Sequence, residues 1–311
     1  MLGTPLHFWL IFLITIITAL TVDLGIFHRK SHTIRVREAL LESLGWVSVS
    51  LLFNVWVYFS QGPQAGLEFL TGYLVEKSLS LDNIFLFVII FQSFRIPAKS
   101  QHKILFYGVA GALVMRAIFV VAGVELLRHF HAVVYVFGAI LLLTGLRMFF
   151  PGRKAKKPEQ NWLVRVARRF VPFNDGAENQ TLFVKQAGRW SATPLLMALI
   201  AVEAMDIIFA IDSVPAVLAI TRNTFIVYSS NAFAILGLRA LYFALAGILP
   251  RFRFLHQGLA VLLLFIGGKM ILSEWVTISS LVSLAIIAGV LGVTIATSLL
   301  LPDKTNQSAL S

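Results

Sequence analysis

Val202-Glu203-Ala204-Met205-Asp206-Ile207-Ile208-Phe209-Ala210-Ile211-Asp212-Ser213-Val214-Pro215 sets three carboxylates inside an apolar run long enough to cross a bilayer. An earlier stretch answers it. Val75-Glu76-Lys77-Ser78-Leu79-Ser80-Leu81-Asp82-Asn83-Ile84-Phe85 spaces Glu76 and Asp82 as Asp206 and Asp212 are spaced. Five acids in lipid, at roughly 2.5 to 3.5 kcal/mol each on the insertion scale, sum to about 15 kcal/mol, as much as the whole stability of a domain. They require partners. The reading that follows from the residues is that the missing partner is a divalent cation and that the protein moves it.

The composition places these runs in a polytopic membrane protein. Of the 311 residues 58% are hydrophobic and 13% charged, against about 25% charged in soluble domains. The absence of cysteine excludes a disulfide framework, a thiolate metal site and a thiol redox pair. The net charge of +11 is carried by the segments between apolar runs, where topology explains it, so nucleic acid is set aside as a partner and the bilayer retained.

Apolar runs of spanning length cover residues 7–27, 44–60, 67–94, 104–125, 132–149, 193–220, 225–249, 256–273 and 276–301. They predict an all-α membrane domain of about nine helices. The first run has no basic residue before it and a basic segment directly after, and reads as a span rather than a signal peptide. Lys and Arg concentrate after the odd-numbered runs, whereas the opposite segments hold only Arg128 and Arg222. The positive-inside rule then puts the N-terminus outside and the C-terminus in the cytoplasm, with the protein in the inner (plasma) membrane. Residues 151–191 form a basic cytoplasmic loop, in which Arg165, Arg168 and Arg169 oppose Leu163, Val166, Ala167 and Phe170 as on an interfacial helix.

A weak internal repeat runs beyond the acids. Met115-Arg116-Ala117-Ile118-Phe119 answers Leu238-Arg239-Ala240-Leu241-Tyr242, and the run Leu141 to Met148 answers the run Leu262 to Met270 with one residue slipped. Helices 3–5 therefore match helices 6–8 across an odd number of crossings, which predicts an inverted three-plus-three repeat with its site near the midplane.

Within the site, Glu203 and Asp206 share a helix face. Pro215 is expected to break the sixth helix at Ile211 to Val214, turning Asp212 toward them and freeing carbonyl ligands. A break near Asp82, promoted by Ser78, Ser80 and Asn83, is the weaker counterpart. The candidate metal ligands are Glu76, Asp82, Asn83, Glu203, Asp206, Asp212 and Ser213, all oxygen donors suited to Mg²⁺, Ca²⁺ or Mn²⁺. Lys77, Arg116 and Arg239 are gating or counter-ion candidates, since neither ammonium nor guanidinium can bind a cation. With these three, the five acids keep two negative charges, which one divalent ion balances. The alternative is that acids and bases form fixed interhelical bridges. No Walker loop, His-Glu-x-x-His motif or nucleophile set is present, so an enzyme is not expected, nor an organic cofactor.

Phe27-His28-Arg29-Lys30-Ser31-His32, the run Thr71 to Asn83 and the run Glu203 to Pro215 resemble those of the TerC family of integral membrane proteins, especially its Alx branch. The resemblance implies Mn²⁺ in preference to Ca²⁺ or Mg²⁺, export as the direction, and a link to tellurite resistance. It carries the family's acidic positions onto Glu76, Asp82, Glu203, Asp206 and Asp212. Proton antiport is the expected energy source. The competing class is a non-transporting membrane factor that delivers metal to exported proteins or scaffolds an envelope-stress complex.

Overall fold

A computed structural model describes residues 4–22, 36–130, 132–149, 181–186, 189–245, 254–276 and 278–300. The basic interfacial helix expected near Arg165 lies outside the described residues. The elements are α1 (Leu6–Val22), α2 (Val36–Gln61), α3 (Pro63–Ser93), α4 (Ala98–His129), α5 (Val133–Phe149), β1 (Phe183–Gln186), β2 (Arg189–Ala192), α6 (Pro194–Leu218), α7 (Thr224–Leu236), α8 (Leu238–Leu245), α9 (Leu255–Ile271) and α10 (Ser280–Leu300). A helix or, for α7 and α8, a helix pair falls on the described part of each apolar run. Five stretches, α2, α4, α6, the α7–α8 pair and α10, are long and apolar enough to cross a membrane, while α1, α5 and α9 are shorter apolar helices.

Large apolar side chains point outward over much of the surface: Ile14 is 63% exposed, Leu52 70%, Val114 61% and Val293 64%. In water this surface would drive association; against lipid tails it costs nothing, as an integral membrane protein requires. Inside, Phe12, Phe53, Phe69, Phe225 and Phe233 join α1, α2, α3 and α7 through tilted and edge-on ring contacts. A second core of Ile84, Phe91, Leu105, Ala198 and Tyr242 ties α3 and α4 to α6 and α8.

Three helix pairs pack most extensively: α5 on α9, α3 on α7 and α4 on α6. At the first, Gly138 and Gly267 face each other so closely that a β-carbon on either would meet the other's carbonyl oxygen at 3.1 or 2.9 Å. This is the small-residue packing that membrane helices use in place of a hydrophobic drive. Gly62, at φ +96, turns the chain between α2 and α3 with Pro63 at the first helical position.

Two expectations about helix continuity do not hold. α6 runs unbroken from Pro194 through Pro215 to Leu218. Pro215 forfeits the bond to Ile211, yet Ala219 N–H still donates to the Pro215 carbonyl at 2.9 Å. Val214 and Val217 are also clamped in a core with Val120, Val124 and Met270. Packing on this scale outweighs one missing bond. α3 is likewise continuous past Asp82, because the Ser78 hydroxyl is spent on its own helix, donating to the Leu74 carbonyl. The interruption lies elsewhere, at Gly237, where α7 ends and α8 begins. A two-stranded antiparallel hairpin, β1–β2, is the one departure from helix among the described residues, and leads directly into α6.

Candidate functional site

Glu76, halfway along α3, is fully buried, and the continuous helix keeps Ser80 and Asn83 on its face at i+4 and i+7. α6 packs beside α3 and presents Asp206, 7% exposed, with Ser213 on the same face about 10 Å further along. Arg116, mid-way along α4, reaches Glu76. Its Nη1 lies 2.5 Å from Glu76 Oε1 and donates to Asn231 Oδ1 of α7 at 2.5 Å. Asn231 is held in turn by donating from Nδ2 to the Val227 carbonyl. Asp206 is within electrostatic reach of both Arg116 and Glu76, and Glu203 within reach of Asp206. Glu76 and Arg116 thus form a buried ion pair, with Asp206 of α6 within electrostatic reach of both.

Around this cluster several buried oxygens accept no hydrogen bond from described residues: Glu76 Oε2, Ser80 Oγ, Asn83 Oδ1 and Ser213 Oγ. Buried polar atoms are nearly always paired, so orphans gathered on facing helices call for a ligand or water. All are hard oxygen donors, the set that fits a Mg²⁺-, Ca²⁺- or Mn²⁺-class ion.

The sequence-predicted residues are only partly brought together. Glu203 is half-buried, and its carboxylate lies directly over Gly111 of α4, where any β-carbon would collide with it. Asp212 does not join the cluster. On an intact helix six residues rotate it about 240° from Asp206, and it accepts instead from the Thr144 hydroxyl of α5 at 2.9 Å, with Arg147 in reach. Asp82 stands on α3, its side chain outside the described residues. Among the described residues no three of His, Cys, Asp and Glu form a ready metal cluster. Lys77 donates to the Ala234 carbonyl in the last turn of α7 at 3.3 Å, filling one of the acceptors that the Gly237 interruption frees.

Arg239 pairs with an acid of α2. Its Nη2 donates to Glu42 Oε1 of α2 at 3.1 Å, with both residues buried. Glu42 escaped the sequence reading because the second apolar run begins at residue 44, whereas α2 starts eight residues earlier. Asn231 and Thr144 were missed too, although the Ser229-Ser230-Asn231 triplet inside an apolar run was a usable signal.

The chain matches the family model described as Integral membrane protein TerC family over residues 61–306. It is 48% identical to an uncharacterized membrane protein of Myxococcus xanthus, covering 96% of this chain and 93% of that protein. It is 44% identical to a protein of Escherichia coli K12 named as a proposed membrane-bound redox modulator, Alx, with 94% of each covered. A membrane protein of Rickettsia bellii is 39% identical over 89% of this chain and 92% of its own length. No solved structure matches.

Proposed function

The chain belongs to the TerC family of integral membrane proteins, and from that premise we propose that it is a secondary transporter exporting a divalent metal cation, Mn²⁺, across the inner membrane. The observation that carries this reading is the buried Glu76–Arg116–Asp206 cluster edged by the orphaned oxygens of Ser80, Asn83 and Ser213. In this state Arg116 pairs with Glu76 and Asn231. A cation binding there displaces the guanidinium toward Asn231 and takes both carboxylates, and protons returning to the carboxylates release it. The donor chemistry selects a hard cation; the family resemblance selects Mn²⁺ and the outward direction.

The packing pattern supports nine spans and the inverted repeat. Exchanging α3 with α6, α4 with α7 and α5 with α9 carries the three strongest helix contacts into themselves: α5–α9 maps onto itself, and α3–α7 onto α6–α4. Such a pseudo-two-fold arrangement about a midplane site is what alternating access uses.

Metal-panel uptake into everted vesicles, with and without a pH gradient, tests the reading. Mn²⁺ accumulation driven by an acid interior is expected, and its absence for every divalent ion would remove transport. The topology is tested separately by reporter fusions: Gln61 and the N-terminus are expected outside, Lys154 and the C-terminus inside. A cytoplasmic signal at Gln61 would undo the inverted repeat.

Gly111→Ala is expected to push the Glu203 carboxylate aside and lower export about tenfold, since a misplacement of ~1 Å at a positioned group can cost more than that. Gly289→Ala, where a β-carbon meets nothing within 4 Å, serves as the control. Equal export by the two proteins would take Glu203 out of the ion path.

A second reading is a non-transporting membrane factor, favoured by the fact that Arg116 and Arg239 are each satisfied by a protein carboxylate. The redox role proposed in the name of the Escherichia coli relative finds no thiol in this cysteine-free chain. A scaffold would tolerate neutralisation of Asp206, and a transporter would not.

A further inference from the structure

Arg239 stands between two cavities. On one side a groove of about 1040 Å³ runs between α1 and α2, with Thr15, Thr18, Glu38 and Glu42 forming a polar stripe among apolar walls. On the other, a void of about 10 Å³, room for one water at most, is lined by Arg239 together with Asp206, Ala112 and Val202. Glu42 is 8% and Arg239 3% exposed. Their 3.1 Å ion pair thus links a residue lining the groove to one lining the void beside Asp206.

The two repeat-related arginines are mounted differently. Arg116 sits near the middle of the 32-residue α4, while Arg239 is the second residue of the eight-residue α8, directly beyond the interruption at Gly237. The interruption gives α8 a hinge that the middle of a long helix lacks, although α8 itself packs closely on α2, with Leu238, Arg239, Ala240, Tyr242 and Ala244 buried. The groove also begins at Val22 and Arg37, the end of α1 and α2 that the basic segment between them places on the cytoplasmic side.

We propose that Glu42 and Arg239 form the inner gate of the transport path, Glu42 capturing a divalent cation that arrives along the α1–α2 groove and Arg239 withdrawing to open the void beside Asp206. This rests on the transport reading above. A divalent ion brings twice the charge of a guanidinium to the same carboxylate oxygen, so capture and release of Arg239 are one exchange. Glu42 is thereby the first protein ligand the ion meets, and the pair keeps the central site closed to the cytoplasm until an ion is present.

The natural absence of cysteine makes the gate directly readable. The full-length protein carrying Ala112→Cys, whose thiol lies in the void, is placed in everted vesicles and treated with a membrane-impermeant cationic thiol reagent. Labelling is expected to be slow without metal, and about tenfold faster with Mn²⁺ or when Glu42→Gln is added, because either shifts the gate toward its open population. Glu42→Asp should stay slow. A labelling rate unmoved by both Mn²⁺ and Glu42→Gln overturns the gate. If Glu42→Gln fails to accumulate, the Mn²⁺ arm on the Glu42 protein decides alone. Mn²⁺ uptake by the same vesicles is scored separately, so a failure of transport and a failure of the gate give different results.

Discussion

Asp206→Asn is expected to abolish metal export while leaving the protein inserted and abundant. The side chain is 7% exposed on α6 and lies in the field of Arg116, Glu76 and Glu203. Asparagine preserves its volume and one carbonyl oxygen, so packing is undisturbed. What changes is charge. With Asp206 neutral, Glu76 and Arg116 cancel, and nothing remains in the cluster to outcompete the guanidinium for a cation. One charge at about 4 Å is worth roughly 4 kcal/mol at an effective dielectric of 20. Even three-quarters of that is more than a hundredfold in binding. Vesicle uptake of Mn²⁺ and the manganese sensitivity of cells both read the loss. Glu125→Gln is the matched control, because Glu125 is 43% exposed and its partners among the described residues are Arg128 and His129 on its own helix. Export by the Asp206→Asn protein at the parental rate would make the cluster a fixed clamp between helices.

Much of this site was legible because membrane helices obey two strict rules: apolar length sets the span, and a charge inside it must be answered. The repeated spacing marked Glu76 and Asp206 as equivalents on two helices, and the structure sets both within the field of one arginine. The proline rule failed because it is local. At Pro215 the flanking Val214 and Val217 are locked between α4 and α9 side chains, and tertiary packing kept the helix that propensity would break. Asp212 then points to Thr144, and no local signal could have revealed it. The real interruption, at Gly237, needed no proline; Lys77 from α3 supplies a donor to the freed acceptor. Glu42 was lost for a third reason. Reading only the apolar core of a span discards its first turns, and a helix that begins below the membrane surface can carry an acid inward on its buried face.

Removing Arg116 should be the most damaging single change to folding, and the way it is rescued separates structure from transport. Arg116→Ala leaves Glu76, 0% exposed, without the cation that pairs it and in the field of Asp206, and strips Asn231 of its donor. Breaking a buried pair by deleting one partner costs about 3 to 5 kcal/mol, a large fraction of the 5 to 15 kcal/mol that typically holds a domain together. Membrane abundance and thermal stability in detergent should therefore fall sharply. Adding Glu76→Gln removes the stranded charge, and the glutamine amide can donate to Asn231 or Asp206, so the Arg116→Ala, Glu76→Gln protein should recover much of its abundance. It should not recover export, because the carboxylate that exchanges guanidinium for metal is gone. Two outcomes would contradict this account. Normal abundance of Arg116→Ala alone would mean that Glu76 is not held by Arg116 in the membrane. Export by the rescued double variant would mean that the ion passes without Glu76, leaving the α3 acid a purely structural anchor.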